Sequence, residues 1–163
     1  MLKLFPSFCC AFILCLVPFA EARGYGGSSG SEAQVLRLLN SARARGVACR
    51  GGGGGISLAP LRYDPTLRRA AKAHAVNMAN NGFMSHFYRG IGPRTRVLRA
   101  GYRYSRMSEI IYKYAGRSSP ASAVRWWLRS PVHCRAIMNR YYSEFGAAYG
   151  GSGAWAVVMA RPR

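Results

Sequence analysis

Near the C-terminus, a near-continuous apolar run, Ala154–Ala160, directly follows Gly150-Gly151-Ser152-Gly153. Such a run without polar alternation is typical of a strand buried on both faces, and a glycine-rich segment before it is typical of a hairpin turn. We therefore predict two closing antiparallel strands, near 145–149 and 154–160. A strand buried on both faces needs other elements to cover the sheet.

Amphipathic helices are predicted at four places, and they supply this cover. The clearest begins with Asp64 as N-cap and Pro65 at the first helical position, and it stops at Asn80-Asn81-Gly82. The others are predicted from Ser31 to near Gly46, from Ser119-Pro120 and from Ser130-Pro131. This mixture predicts an α+β fold, an antiparallel sheet covered by helices.

Two segments carry no clear helical period. The five glycines of 51–55 are predicted to form a loop. Residues 83–106 are predicted to be mostly irregular, followed by a short strand around 107–114. The irregular segment contains six arginines: Arg89, Arg94, Arg96, Arg99, Arg103 and Arg106.

The N-terminus is typical of an export signal. Lys3 supplies a positive start, an apolar run extends from Phe8 to Phe19, and Ala20-Glu21-Ala22 matches the small residues that signal peptidase accepts. We predict a signal peptide over residues 1–22, a flexible leader over 23–30 and one domain over 31–163, in a secreted or periplasmic protein. The alternative is an uncleaved anchor, although the apolar run is short for a membrane span.

Two cysteines remain after the predicted cleavage, Cys49 and Cys134. An exported protein meets an oxidising compartment, so they form either one disulfide or two buried free thiols, and the spacing alone does not decide between these.

The charge is strongly positive, with 24 Lys and Arg, 21 of them Arg, against 5 Asp and Glu. One interpretation is a surface selected to bind polyanions such as acidic lipid headgroups, glycans or nucleic acid. The other is a compositional bias that favours Arg, Ala and Gly codons together. Both predict salt-dependent attraction to anionic surfaces.

Four polar residues are candidates for a shared site because carboxylates are rare in this chain: His86, Glu109, His133 and Glu144. Each lies at the end of a predicted element or in a loop. Two imidazoles and two carboxylates suit a divalent cation such as Zn²⁺, with the carboxylates as ligands or as groups that orient the histidines. Their long spacing also fits separate caps and surface groups.

Several motifs occur in the order found in one known family. They are Leu39-Asn40-x-x-Arg43, Leu61-x-Tyr63-Asp64-x-x-Leu67-x-x-Ala70-x-x-His74-Ala75-x-x-Met78, Phe83-x-Ser85-His86, Ala123-x-x-x-Trp127-Leu128-x-Ser130-Pro131-x-His133-Cys134-x-x-Ile137-Met138-Asn139, and Glu144-Phe145-Gly146-x-Ala148-Tyr149. Over residues 31–160 the chain resembles the CAP superfamily of cysteine-rich secretory, antigen 5 and pathogenesis-related proteins. The similarity is to compact bacterial members with an SCP-like domain.

This resemblance implies an α-β-α sandwich with a groove lined by two histidines and two acidic residues. By motif these are His86, Glu109, His133 and Glu144. It also implies a link to sterol or lipid binding. The chain departs from the pattern at Ile110, where the family has Asn, and at Val132, where it has Gly.

Three further residues are assigned from their helical position. His74 lies on an apolar helix face and is predicted to be a satisfied core residue. Trp126 and Trp127 are adjacent and face apart, so Trp127 is predicted in the core and Trp126 at the surface, where it could contact lipid or sugar.

Three functions compete. The first is a non-enzymatic binding module for lipids or glycans, with the six arginines as the anionic-ligand surface. The second is a metal-dependent, peptidase-like hydrolase with Glu109 or Glu144 as general base, although no His-Glu-x-x-His motif is present. The third is nucleic-acid binding by charge, for which no specific readout motif exists. The sequence favours the binding module.

Overall fold

A computed structural model of the chain describes residues 30–163, so the predicted signal peptide and most of the predicted leader lie outside the described residues. The elements are α1 (Gly30–Ala44), β1 (Arg62–Tyr63), α2 (Pro65–Asn80), α3 (Pro93–Arg99), β2 (Tyr104–Tyr112), α4 (Pro120–Arg129), α5 (Pro131–Ile137), β3 (Glu144–Gly151) and β4 (Ala154–Pro162). In the part of the chain described, no helix is both long enough and apolar enough to cross a membrane.

The four strands form one sheet in the order β1-β3-β4-β2. β4 pairs antiparallel with both β2 and β3, while the two-residue β1 pairs parallel with β3. The predicted closing hairpin and the α+β class are confirmed. The sheet is mainly antiparallel, as predicted.

Alternate residues of β4 enter two separate cores, so helices cover both faces of the sheet. Trp155, Val157 and Met159 pack with α1, α4 and α5 in one core. The intervening small residues and Val158 pack with α2 and α3 in the other core. This arrangement is the predicted α-β-α sandwich.

Glycines let α2 lie directly on the backbone of β3. A Cβ atom at Gly146 would come within 2.1 Å of the Arg68 amide nitrogen, and one at Gly150 within 2.0 Å of the Ala75 carbonyl oxygen. Any side chain at these two positions would push the helix away. The helix begins as predicted, with the Asp64 carboxylate accepting the Leu67 N–H at 2.7 Å.

The predicted irregular stretch 83–106 is wrong in part, because it contains α3. Val97 is the buried apolar residue that anchors this helix, and the surrounding arginines conceal its amphipathic pattern. β2 also begins and ends earlier than the predicted 107–114.

Cys49 and Cys134 form a disulfide with a Cα–Cα distance of 5.7 Å. The bond ties the glycine loop 51–55, whose five residues all have positive φ between +70° and +95°, to helix α5. The side chain of Arg135 lies over this loop, close to Gly53. The disulfide therefore fixes the segment that carries His133.

Arg43 is a buried arginine at the end of α1, with 1% of its surface exposed. Its guanidinium donates to the carbonyl oxygens of Ala59 at 2.9 Å, Ile137 at 2.8 Å, Asn139 at 3.0 Å and Tyr142 at 3.3 Å. Burial lowers the pKa of this group from its usual value. One side chain thus holds together α1, the segment before β1 and the segment between α5 and β3.

Candidate functional site

Glu109 is the centre of the candidate site. It lies in β2 with 1% of its side chain exposed, and it faces α2 and α3. Its carboxylate accepts hydrogen bonds from Arg96 Nη2 at 2.9 and 2.8 Å, and from His86 Nδ1 at 2.9 Å. A buried carboxylate needs such a cationic partner, since desolvation without one is costly.

The prediction that Arg96 belongs to the anionic-ligand surface is wrong. The residue is buried, and its guanidinium also donates to the carbonyl oxygens of Ile91 and His86. The physical reason is Glu109, whose buried charge attracts the nearest guanidinium of α3 inward. No short-range pattern distinguishes Arg96 from Arg94 or Arg99, because its partner is thirteen positions away.

His86 is the exposed end of this cluster, with 42% of its side chain accessible. A carboxylate only accepts hydrogen bonds, so the proton lies on Nδ1 and the Nε2 lone pair points away from Glu109. A histidine held in this way by a carboxylate is pre-oriented as a metal ligand or a hydrogen-bond acceptor.

His133 lies near His86, in the first turn of α5. Its Nδ1 is 2.8 Å from Ser130 Oγ, and its ring packs on the Trp126 indole at 5.0 Å between centroids. Burial, and then the neighbouring His86, lower the pKa of His133. Trp126 is 39% exposed while Trp127 is buried, as predicted, but no sequence signal indicated that Trp126 would contact a candidate site histidine.

His74 lies beneath the cluster, in the core as predicted. Its Nε2 donates to the Ser85 carbonyl at 2.7 Å and is 3.9 Å from a Glu109 oxygen. Burial lowers the pKa of His74, which favours the neutral ring and makes its approach to Glu109 a dipolar contact. Among the described residues its Nδ1 has no hydrogen-bond partner, so only one of its two ring nitrogens is satisfied.

Glu144 lies apart from this cluster. It begins β3, where its carboxylate accepts from Arg62 Nη2 at 3.1 Å and from the Tyr102 hydroxyl at 2.5 Å. Burial and this carboxylate raise the pKa of Tyr102. On β4, Glu144 pairs with Ala160 while Glu109 pairs with Val158, so β4 separates the two acidic residues.

The structure therefore brings His86 and Glu109 into contact, places His133 close to His86, and leaves Glu144 in a separate ion pair. Across residues 30–163, no group of three or more His, Cys, Asp or Glu side chains is placed to hold a metal ion. The donors that fit a cation are the two imidazoles, with Glu109 orienting one of them. The four-residue cation set stays a prediction.

The other five predicted surface arginines are exposed: Arg89, Arg94, Arg99, Arg103 and Arg106. Two of them contact aromatic rings. The guanidinium carbon of Arg89 lies 5.3 Å from the Tyr88 ring centroid, and that of Arg106 lies 4.5 Å from the Tyr141 ring centroid.

The structure is thus an α-β-α sandwich in which one histidine is held by a carboxylate and a second histidine lies near it. The model of the cysteine-rich secretory protein family, CAP, matches residues 36–160 of this chain. The chain belongs to the CAP family.

Bacterial proteins are among its relatives. YkwD of Bacillus subtilis is 27% identical over 126 residues, which are 77% of this chain and 44% of YkwD, so the chain spans less than half of that relative. An extracellular SCP-domain protein of Bacillus anthracis superposes with a TM-score of 0.69 at 22% identity, over 81% of this chain and 40% of that one. An outer surface protein of Borrelia burgdorferi gives 0.63 at 22% identity, over 80% of this chain and 94% of that one.

Proposed function

We propose that this chain is an exported CAP-domain binding module whose exposed arginines bind anionic or amphipathic ligands such as lipids or glycans. The N-terminal sequence supports export, as do the names of two similar structures, an extracellular protein and an outer surface protein. The ligand surface consists of Arg89, Arg94, Arg99, Arg103 and Arg106.

One observation carries this proposal: every Asp and Glu side chain in residues 30–163 is engaged within the fold. Glu32 pairs with Arg68, Asp64 caps α2, Glu109 pairs with Arg96, and Glu144 pairs with Arg62. The exposed arginines of the ligand surface therefore have no compensating Asp or Glu among the described residues. Their field extends into solvent and attracts anions.

Binding to heparin and to phosphatidylglycerol vesicles tests this proposal. We expect the mature chain to bind at least one of them and not phosphatidylcholine vesicles, with affinity falling at least tenfold between about 50 and 300 mM NaCl because salt screens exposed charges. The variant R89Q/R99Q/R103Q should lose more affinity than the control R37Q/R117Q/R129Q, which removes equal charge from other exposed positions.

Equal losses in the two triple variants would show that the affinity depends on net charge and not on this surface. Binding to heparin and anionic vesicles no tighter than to neutral vesicles would contradict the proposal itself.

We also propose that the two imidazoles can share a divalent cation. His86 and His133 both use Nδ1 in hydrogen bonds within the fold, so Nε2 of each is the nitrogen left for a cation such as Zn²⁺. In calorimetry with zinc, H86A/H133A should abolish binding, while E144Q should leave the affinity unchanged within about twofold. Zinc binding that survives the double substitution, or that E144Q abolishes, would contradict this assignment.

Hydrolysis is not favoured by the local contacts of the carboxylates. Glu109 already accepts hydrogens from Arg96 and His86, and Glu144 from Arg62 and Tyr102. The Glu109 side chain is 1% exposed and Glu144 is held by two donors, so neither carboxylate is well placed to take a proton from water, as a general base must. Metal-dependent turnover of a peptide or ester, lost in E109Q, would favour the hydrolase instead.

A further inference from the structure

A small polar cavity of about 270 Å³ lies where β2 begins, between α3 and the segment joining α5 to β3. Arg94 and Arg106 line it, and no Asp or Glu does. Its volume is slightly below the roughly 300–1,000 Å³ of sites for drug-sized ligands. A cavity of this size and charge suits one compact anionic group.

The sheet places like charges opposite each other beside this cavity. Arg106 of β2 pairs directly with Arg161 of β4, next to a bulge at Ser105 that shifts the register. Like charges at directly opposed positions destabilise a sheet, and bulges commonly re-aim side chains near functional sites. No Asp or Glu side chain in residues 30–163 pairs with these two arginines. An anion bound here would relieve their repulsion.

Tyr141 orients the guanidinium of Arg106, one of the two arginines that line the cavity. Arg106 lies over its ring, and Arg140 lies 5.0 Å from the same ring centroid while donating to its hydroxyl at 3.1 Å. A guanidinium held over an aromatic ring loses less freedom when it binds a ligand.

The remaining lining is rich in polar groups. Asn139 uses Oδ1 to accept the Tyr141 N–H at 2.9 Å, which leaves its amide N–H groups as donors. Tyr104 and Tyr142 also line the cavity, whereas the Ser105 hydroxyl already donates to the carbonyls of Arg161 and Pro162. Met107 is the one apolar side chain of the lining, so the cavity offers no wall for an acyl chain.

We infer that this cavity binds a phosphate monoester carried by a sugar. Arg94 and Arg106 take the phosphate oxygens, because the guanidinium fork matches phosphate and a monoester carries about −1.5 to −2 charges at neutral pH. The amide of Asn139 and the tyrosine hydroxyls face the sugar. The inference rests on the proposed function for an anionic ligand, and it narrows that ligand to one chemical group at one place.

Titration of the mature chain with inorganic phosphate, glucose 6-phosphate and glucose in a chloride buffer tests the inference. We expect one saturable site for the two phosphates, tighter for the sugar phosphate, and no binding of glucose. R94Q/R106Q should weaken glucose 6-phosphate binding at least tenfold, while R117Q/R129Q, with equal charge removed outside the cavity, should change it less than about twofold. Thermal unfolding of each variant checks that it is folded.

Each other outcome overturns the inference in a distinguishable way. Equal weakening by both double variants means that phosphate responds to net charge only. Binding of phosphatidic acid vesicles that R94Q/R106Q abolishes and R117Q/R129Q does not, without glucose 6-phosphate binding, assigns the cavity to a lipid headgroup. Heparin binding with no phosphate site removes the inference and leaves the proposed function standing, whereas loss of all polyanion binding removes the proposed function.

Discussion

Replacing Arg43 by methionine should lower the free energy of unfolding by roughly 3–5 kcal/mol, since each buried carbonyl that loses its donor costs about 1–3 kcal/mol. Methionine fills similar space but donates no hydrogen bond, so the carbonyls of Ala59, Ile137, Asn139 and Tyr142 all lose a partner. The largest share comes from Ile137, where the whole bond is buried. Urea unfolding followed by tryptophan fluorescence measures the loss.

The same helix supplies the control. Arg37 is exposed on α1, and R37M should change stability by less than about 0.5 kcal/mol, as surface substitutions usually do. R43K should fall between the two, because an ammonium keeps the charge but cannot reach all these carbonyls. If R43M unfolds within about 1 kcal/mol of the parent, the hydrogen bonds do not hold the three segments together.

Arg43 also shows which features of this fold can be predicted from local sequence and which cannot. Helix starts at Asp64-Pro65 and Ser119-Pro120 are local signals, because the capping side chain and the proline act on their own turn. At Ser130-Pro131 the proline is the local signal, since the serine side chain makes no capping hydrogen bond. Arg43 is buried because it bonds carbonyls up to 99 positions away in the chain. Its charge, taken alone, would predict an exposed side chain. Its place four residues after Leu39, on the apolar stripe of α1, was the available signal.

Sequence likewise predicts only part of the candidate site. The motif match selected His86, Glu109 and His133, which lie together in the structure, but also Glu144, which does not contact them. The order of motifs shows that these residues belong to one domain. It does not show that β4 lies between Glu109 and Glu144 in the sheet. The inward turn of Arg96 and the contact of Trp126 with His133 depend on how α3 and α4 pack on β2, and no local pattern records that packing.

Glu109→Gln should destabilise the chain by about 3–5 kcal/mol, the usual cost of removing one partner from a buried ion pair. The introduced glutamine has nearly the same shape as the native side chain, so the loss is electrostatic: Arg96 stays buried, and no carboxylate remains in contact with it. The measurement is the shift of the urea midpoint at neutral pH.

Glu144→Gln is the matched control, the same chemical change in an ion pair whose arginine, Arg62, is 74% exposed. Exposed pairs contribute about 0–1 kcal/mol, and the glutamine oxygen can still accept from the Tyr102 hydroxyl, so this variant should lose less stability than E109Q. A double-mutant cycle of E109L with R96M isolates the coupling, because replacing both buried charges by apolar groups often restores stability. Similar losses in E109Q and E144Q would mean that Glu109 is not the buried partner described.

The tautomer of His86 is a second measurable property, and simple destabilisation would not change it. In the parent, His86 must hold its proton on Nδ1, because the carboxylate can only accept. A glutamine amide can present its N–H₂ to the same nitrogen while its oxygen keeps the bond to Arg96, and this favours the tautomer with the proton on Nε2. Nitrogen chemical shifts of the His86 ring should therefore change from mainly Nδ1–H to mainly Nε2–H in folded E109Q, and the Nε2 lone pair offered to a cation should disappear. An unchanged tautomer in the folded variant would show that Glu109 supports the core without orienting His86.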